Sequence, residues 1–374
     1  MVVPLSIHVS FFLRVLKCLL FFKPGVAVMA VLKIDPLLDG RWPKFLERHS
    51  KTSVFHTPNW LQALHRTYGY EPLVYALTRA NELTSGIVFC RIKSWFTGLR
   101  VVSLPFSDYC QPLVSESVDF IELLTVIQKD RELEDWKYIE LRPTVPDRCV
   151  LEEMGFSEYD TVYTHKLDLR PDLETIFRSL HKSQVQRAIL KSQKILSYEE
   201  GRSDALLEKF FRLQVLTRRK HGLPPQPLVW FRNLMDCLGD SIKIRVASKD
   251  DQPVASIITL FFKDTMVYKY GCSDSRFSRF GGMSLLFWNA IKEAKAAGAS
   301  DFDFGRSDYN NKGLIAFKDH WGTSRSTLTY HRFPATRHQN SDERLLTRIA
   351  KQTFGHLPDC VLTAAGRRLY RHLG

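Results

Sequence analysis

The sequence predicts an α/β (α+β) protein built from two tandem modules, each a mixed, mostly antiparallel sheet flanked by helices. Three observations predict it. The chain has 374 residues, long enough for two domains of ordinary size. Its 44% hydrophobic and 25% charged content is that of a globular protein, which excludes an intrinsically disordered chain and a polytopic membrane protein. Between about residues 50 and 335 the same order of elements occurs twice.

The first pass opens with Phe55-His-Thr-Pro-Asn-Trp60, where Thr57 is a helix cap and Pro58 occupies the first helical position. Apolar, β-prone runs follow at 75–78, 87–90 and 100–105, then a helical stretch near 117–130 and a strand over 138–143. The second pass opens with a helix over 204–219 that keeps Leu206, Leu207, Phe210, Phe211 and Leu213 on one broad apolar face. It stops at Gly222 and Pro224-Pro225. Strands are predicted over 243–248, 254–262 and 265–270, a helix near 283–297, and a strand over 301–306. The closing strands match: Ile139-Glu140-Leu141-Arg142 against Phe302-Asp303-Phe304-Gly305-Arg306. A basic helix over 180–196 lies between the halves. These patterns divide the chain into a first module over 29–170 and a second over 171–335.

Residues 1–28 are apolar but broken by Arg14, Lys17 and Lys23, too often for a membrane span. They read as an extension upstream of a globular start at Met29, with an interfacial amphipathic anchor as the other reading. Residues 336–374 form a basic tail, with two short helices around Gly355-His356-Leu357-Pro358. A cap over the core is the first reading of these helices and contact with an anionic membrane or RNA the second.

Lys and Arg number 53 against 40 Asp and Glu, a net charge of +13. The excess is local, in residues 1–28, 178–194, 212–220 and 336–374, and it points to an anionic partner. The seven cysteines are scattered without a zinc-like spacing, so a reduced, cytoplasmic protein with no metal site is expected. GxSxG, HExxH and Walker A motifs are absent from the sequence.

Two stretches carry candidate chemistry. Arg276-Phe-Ser-Arg279-Phe-Gly281-Gly282-Met-Ser284 precedes a helix. Glycines allow close backbone approach there, free amides attract phosphate, and Arg276 and Arg279 add charge. A simple turn and cap fits the same residues. Further on, alternation places Phe302 and Phe304 on one face of a strand and Asp303 on the other, before a polar loop holding Arg306 and Asp308. Acyl transfer to an amine needs a proton acceptor and an oxyanion donor, for which Asp308, Lys318 and His320 are candidates. A structural Arg306–Asp308 ion pair and a solvated Lys318 are the plainer alternatives. In the first half the loop Pro105-Phe-Ser-Asp108-Tyr109-Cys-Gln111-Pro112 could read an acceptor. Lys269-Tyr270-Gly-Cys-Ser-Asp274 ends a strand at a cleft-facing edge, with Ser273 and Asp274 as turn caps.

Together with Tyr68-Gly-Tyr-Glu-Pro72, Ser103-Leu-Pro-Phe-Ser-Asp-Tyr109 and Phe317-Lys318-x-x-Trp321-Gly322, these motifs resemble the FemAB-like proteins of the GNAT-like acyltransferase superfamily. The second half of such proteins is often described as a BioF2-like acetyltransferase domain. The resemblance spans about residues 50–335 and implies tandem GNAT-like domains and peptide-bond formation on an amine. It implies a donor site at Arg276, Arg279, Gly281, Gly282 and Ser284, where acyl-CoA enzymes hold a pyrophosphate. It implies a reaction centre at Phe317 and Lys318, the lysine stabilising the developing oxyanion. Asp308 joins that centre as a catalytic candidate, and Asp108, Tyr109, Tyr270, Asp303 and Arg306 are the acceptor candidates.

Some family members use charged tRNA to build peptidoglycan cross-bridges. The long helical arm of those enzymes is missing here, and the sequence is closer to the FemAB-related proteins of exopolysaccharide and PEP-CTERM systems. The expected function is therefore N-acyl or aminoacyl transfer from acyl-CoA or aminoacyl-tRNA, as co-substrate rather than tightly bound cofactor, to an amine of a cell-envelope precursor. The expected setting is the cytoplasm, at the inner face of the membrane if peripheral contact occurs. The alternative is a non-catalytic protein that uses the same scaffold to bind a nucleotide-sugar, a lipid-linked saccharide or RNA.

Overall fold

A computed structural model of the chain describes residues 30–335 and 354–374. The leader over 1–28 and the first of the two C-terminal helices lie outside the described residues.

Among the described residues twelve strands form one sheet: β1 (Val31–Ile34), β2 (Glu71–Arg79), β3 (Glu82–Ser94), β4 (Gly98–Val102), β5 (Ile139–Leu141), β6 (Ser157–Asp168), β7 (Ser197–Gly201), β8 (Ile242–Lys249), β9 (Gln252–Phe262), β10 (Thr265–Ser273), β11 (Asp301–Asp308) and β12 (Ser324–Phe333). Their spatial order is β1-β2-β3-β4-β5-β12-β6-β11-β10-β9-β8-β7. Outward from the central β12–β6 pair, the order mirrors itself: β5 to β1 on one side, β11 to β7 on the other. Only β4–β5 and β10–β11 run parallel among the described pairings, one in each half. Both parallel pairings are short. Strand β10 leaves β11 after Val267 meets Asp303, so the two strands splay and expose a wedge of backbone.

The repeat read in the sequence is thus present as a repeat of strand order, but the halves are joined by strands the sequence reading does not anticipate. Strands β6 and β12 are polar along much of their length, with only part of each buried. Their central position comes from pairing with each other and with both halves. The last strand, β12, pairs with β5 of the first half and with β6.

Helix signals behave as expected. Thr57 caps the helix Pro58–Tyr68 by accepting from the Trp60 amide. The helix Asp204–Lys220 buries Leu206, Leu207, Phe210 and Leu213. The basic stretch over 180–196 is interrupted, a π turn at Lys182–Gln186 leading into the helix Arg187–Ile195. The lead-in helix of the first half packs against the helix Leu228–Leu238 of the second. Trp60 meets Trp230 of the helix Leu228–Leu238 edge to face at 5.4 Å, in a core fed by both halves. Two further cores are separate, one around the helix Ser117–Leu133 and one around the helix Gly282–Ala296.

The seam between the halves is charged. Glu140 on β5 is buried and accepts from Arg142 Nε at 2.8 Å and from Arg332 Nε of β12 at 2.7 Å. Burial pushes its carboxyl up, but the two guanidinium groups outweigh that and hold it below the usual carboxylate value.

Candidate active site

The candidate site lies where β10 and β11 separate, and Gly305 organises it. Strand β11 does not give way to a polar loop at Arg306 and Asp308, as the sequence suggests; it continues to Asp308 with a bulge. Asp303 pairs with Lys166 and Arg306 with Thr164, so three residues of β11 advance against two of β6. That extra residue re-phases the strand. Asp303, Arg306 and Asp308 consequently share one face, whereas strict alternation would put Arg306 opposite Asp303. Gly305 has φ +71, and a Cβ there would lie 2.8 Å from Asp108 Oδ2. Gly305→Ala should therefore lose roughly 1–3 kcal/mol of stability. Gly298, at φ +82 with nothing within 4 Å, is the control: Gly298→Ala should lose only the backbone part. Denaturant titration of both variants measures the difference; equal losses would show that the Asp108 contact is unimportant.

Lys318 sits in the last turn of the helix Lys312–Asp319 and is 2% exposed. Its ammonium donates to the carbonyls of Gly305 at 3.0 Å and Arg306 at 2.7 Å, the acceptors uncovered at the bulge. Burial is the main influence on this amine; Asp108 and Asp303 counter it, and the result is a pKa lowered to about 8. An ammonium has three hydrogens and two are used, so one remains for a substrate oxygen.

Opposite stands Asp108, in the loop after β4. Lys269 Nζ donates to its Oδ1 at 3.0 Å. Burial raises its carboxyl, yet Lys269 and Arg306 outweigh burial and leave it below the usual value. The Asp108 carbonyl accepts from Tyr330 Oη at 2.7 Å, and Arg306 Nη1 donates to the same hydroxyl at 3.0 Å. Arg142 holds the loop from behind, donating to the Leu104 and Ser107 carbonyls. Lys269 is the bulged residue of β10, where two residues face one on β9, and its ammonium lies 5.2 Å from the Phe55 ring centre.

Asp303 is fully buried, accepting from the Gly305 amide at 2.7 Å and from Tyr109 Oη at 2.8 Å; burial raises its carboxyl. The Tyr109 ring also lines a cleft of about 450 Å³ between the two halves. Lys51, Lys166, Asp264, Asp301 and several Ser and Thr side chains line it as well. Its polar lining suits a hydroxylated or charged molecule rather than an apolar one.

The fold thus gathers Asp108, Tyr109, Asp303, Arg306 and Lys318. Tyr270 stands beside them, its hydroxyl accepting from Trp230 Nε1 at 2.8 Å. Phe317 turns to the opposite core, 5.8 Å from Phe287. Asp308 is exposed at the end of β11, and no ion pair joins it to Arg306 among the described residues. Lys318 is buried rather than solvated.

The donor candidates form a separate group at the start of the helix Gly282–Ala296. Gly281 has φ +74, and a Cβ there would lie 3.0 Å from the Ala188 carbonyl of the basic helix. Lys191 Nζ from that helix donates to the Arg279 carbonyl at 3.1 Å. Arg276 is held by Asp274, which caps the turn as expected. Ser284 is buried in the first turn of the helix. Sequence reasoning missed Lys269, Lys166 and Tyr330 as site residues. Lys269 stood inside a recognised motif, whereas Lys166 and Tyr330 lie on the two unanticipated strands.

Residues 181–318, which hold the splayed strands, the glycine turn and Lys318, match the model of the acetyltransferase (GNAT) domain. The second half of the chain thus carries a GNAT-type acetyltransferase domain. Among solved structures, the chain is similar to FemX, with a TM-score of 0.66 and 14% identity over 86% of this chain and 100% of that one. A tandem GNAT protein from the clavulanic acid biosynthesis pathway gives 0.54 and 11% over 83% and 100%. L-PGS from Bacillus licheniformis gives 0.51 and 11% over 86% and 98%. At these identities the likeness is one of fold. No curated protein matches the sequence.

Proposed function

We propose that the protein transfers an acyl or aminoacyl group from acyl-CoA or aminoacyl-tRNA to an amine of a cell-envelope precursor, of the peptidoglycan or exopolysaccharide kind, in the cytoplasm. The observation that carries this reading is the buried Lys318 ammonium, held on two carbonyls at the splay of β10 and β11 with one hydrogen to spare. The acceptor amine attacks the acyl carbonyl carbon, forming a C–N bond and breaking the donor's C–S or C–O bond. Lys318 stabilises the oxyanion of the intermediate, and the amine proton passes to a carboxylate or to the leaving group. Asp108 is the carboxylate on the same cluster; Asp308, exposed and further along β11, is the second candidate. Phe317 serves by packing the helix that aims Lys318. Asp108, Tyr109, Asp303, Arg306 and Tyr270 form the acceptor side, beside a cleft whose many hydroxyls, with two lysines balanced by Asp264 and Asp301, suit a glycosylated precursor.

Arg276, Arg279, Gly281, Gly282 and Ser284 form the donor side, close to the basic helix Arg187–Ile195. Its exposed Arg187, Lys191 and Lys194 suit a phosphate-bearing donor. Binding titrations with acetyl-CoA and with charged tRNA at several salt concentrations separate the donors, since an RNA contact to several phosphates weakens steeply with salt. Transfer activity with either donor supports the proposal. Tight ligand binding without transfer from any donor would refute it.

A further inference from the structure

The corner formed by the β3–β4 turn and the C-terminal helix Asp359–Leu373 is built unlike the rest of the surface. Trp95 and Phe96, at the tip of the turn, are 87% and 74% exposed, and they touch each other with ring centres 5.8 Å apart. The last turn of the helix is fixed against them. His372 meets the Trp95 ring at 5.7 Å, its Nδ1 lies 3.0 Å from Ser94 Oγ, and Arg100 donates to the carbonyls of His372 and Gly374. The helix buries Leu362, Gly366 and Tyr370, a spacing of four that leaves the opposite side to solvent. On that side stand Arg367, Arg368 and Arg371, with Leu373 exposed at the end. None of the three arginines has an ion-pair partner among the described residues.

A solvated aromatic pair costs free energy that a monomeric soluble protein normally avoids, and three unpaired guanidinium groups on an adjoining face add a field of one sign. Stable attachment to an anionic bilayer takes both signals together, apolar side chains entering the interface and basic side chains meeting the headgroups. Among the described residues no helix is long and apolar enough to cross a membrane, so contact at this corner would be peripheral.

The geometry points to an anionic phospholipid surface as the partner of this corner, with Trp95 and Phe96 inserting at the interface and Arg367, Arg368 and Arg371 pairing with lipid phosphates. The corner is tied to the wall of the candidate site. Tyr370 packs 5.7 Å from Phe106, two residues before Asp108, and Phe106 packs 6.1 Å from Trp230. The inference stands on the surface itself and does not depend on which amine is acylated.

Sedimentation of the full chain with vesicles tests it. Vesicles of phosphatidylcholine mixed with phosphatidylglycerol should carry the protein down, vesicles of phosphatidylcholine alone should not, and added salt should release it. Trp95→Ala with Phe96→Ala should weaken partition, and replacing the three arginines by Gln should weaken it by roughly fivefold per arginine. Replacing them by Lys should preserve it. Thermal melting checks that each variant folds, and the single variants Trp95→Ala and Arg368→Gln serve if a multiple one does not. Failure of the wild-type chain to sediment overturns the inference, as does undiminished binding in both sets of variants. Binding of tRNA that the same variants abolish, without vesicle binding, would assign the corner to RNA and overturn it equally.

Discussion

Lys318→Met should lower the turnover number by about a hundredfold to a thousandfold, the usual effect of removing one oxyanion donor. Methionine keeps the aliphatic stem in its buried slot, so loss of activity would not be loss of fold. Acyl transfer to an envelope-type amine, measured with the donor that binds, is the readout; near-wild-type turnover would exclude Lys318 from the reaction. The pH dependence gives a second readout. The amine has its pKa lowered to about 8, and an oxyanion donor must be protonated. Activity should therefore fall as pH rises through about 8, a decline absent from whatever residual rate the methionine variant retains.

The same lysine makes a linkage prediction of opposite direction. In the unfolded chain it titrates near 10.5, so between about 8 and 10.5 the unfolded state holds more protons than the folded one, and stability rises with pH across that window. The burial of the charged form costs on the order of 3 kcal/mol below that window. Lys318→Met should remove this rise from the dependence of stability on pH.

Glu140→Gln should be the most destabilising single change at the seam, costing about 3–5 kcal/mol, the loss typical of removing one partner from a buried ion pair. The carboxylate joins Arg142 on its own strand to Arg332 on β12, and neutralising it leaves two guanidinium groups close together with no anion between them. Urea unfolding would measure the change; a loss under about 1 kcal/mol would show that the seam is held by strand pairing alone. The pH direction follows from the lowered pKa. The contribution of Glu140 is fully present above the ordinary glutamate value of 4.5 and is lost as pH falls through the lower folded value. The wild type should lose stability in acid across that range, and the Gln variant should lose less.

Much of the fold could be read from local chemistry. Thr57 with Pro58 marks a helix start whatever surrounds it, because the cap satisfies amides of its own first turn. The apolar face from Leu206 to Leu213 and the alternation at 254–262 likewise depend on short-range geometry. The repeated order of such elements was enough to specify paired modules. The sequence also placed Asp108, the pair Asp303 and Arg306, and Lys318 in three separate motifs, without a reason for them to meet.

Tertiary structure decided the rest. The polar residues of β6 and β12 carry no strong local signal; they become central strands because each finds backbone partners more than a hundred residues away along the chain. The bulge at Gly305 exists only against β6, since a strand's phase is defined by the strand it pairs with. That phase shift turns Arg306 onto the face of Asp303 and frees two carbonyls for Lys318. Sequence alone determined which residue types could perform acyl transfer and on which modules they sit. Long-range pairing, with no trace in local periodicity, determined that they share one site.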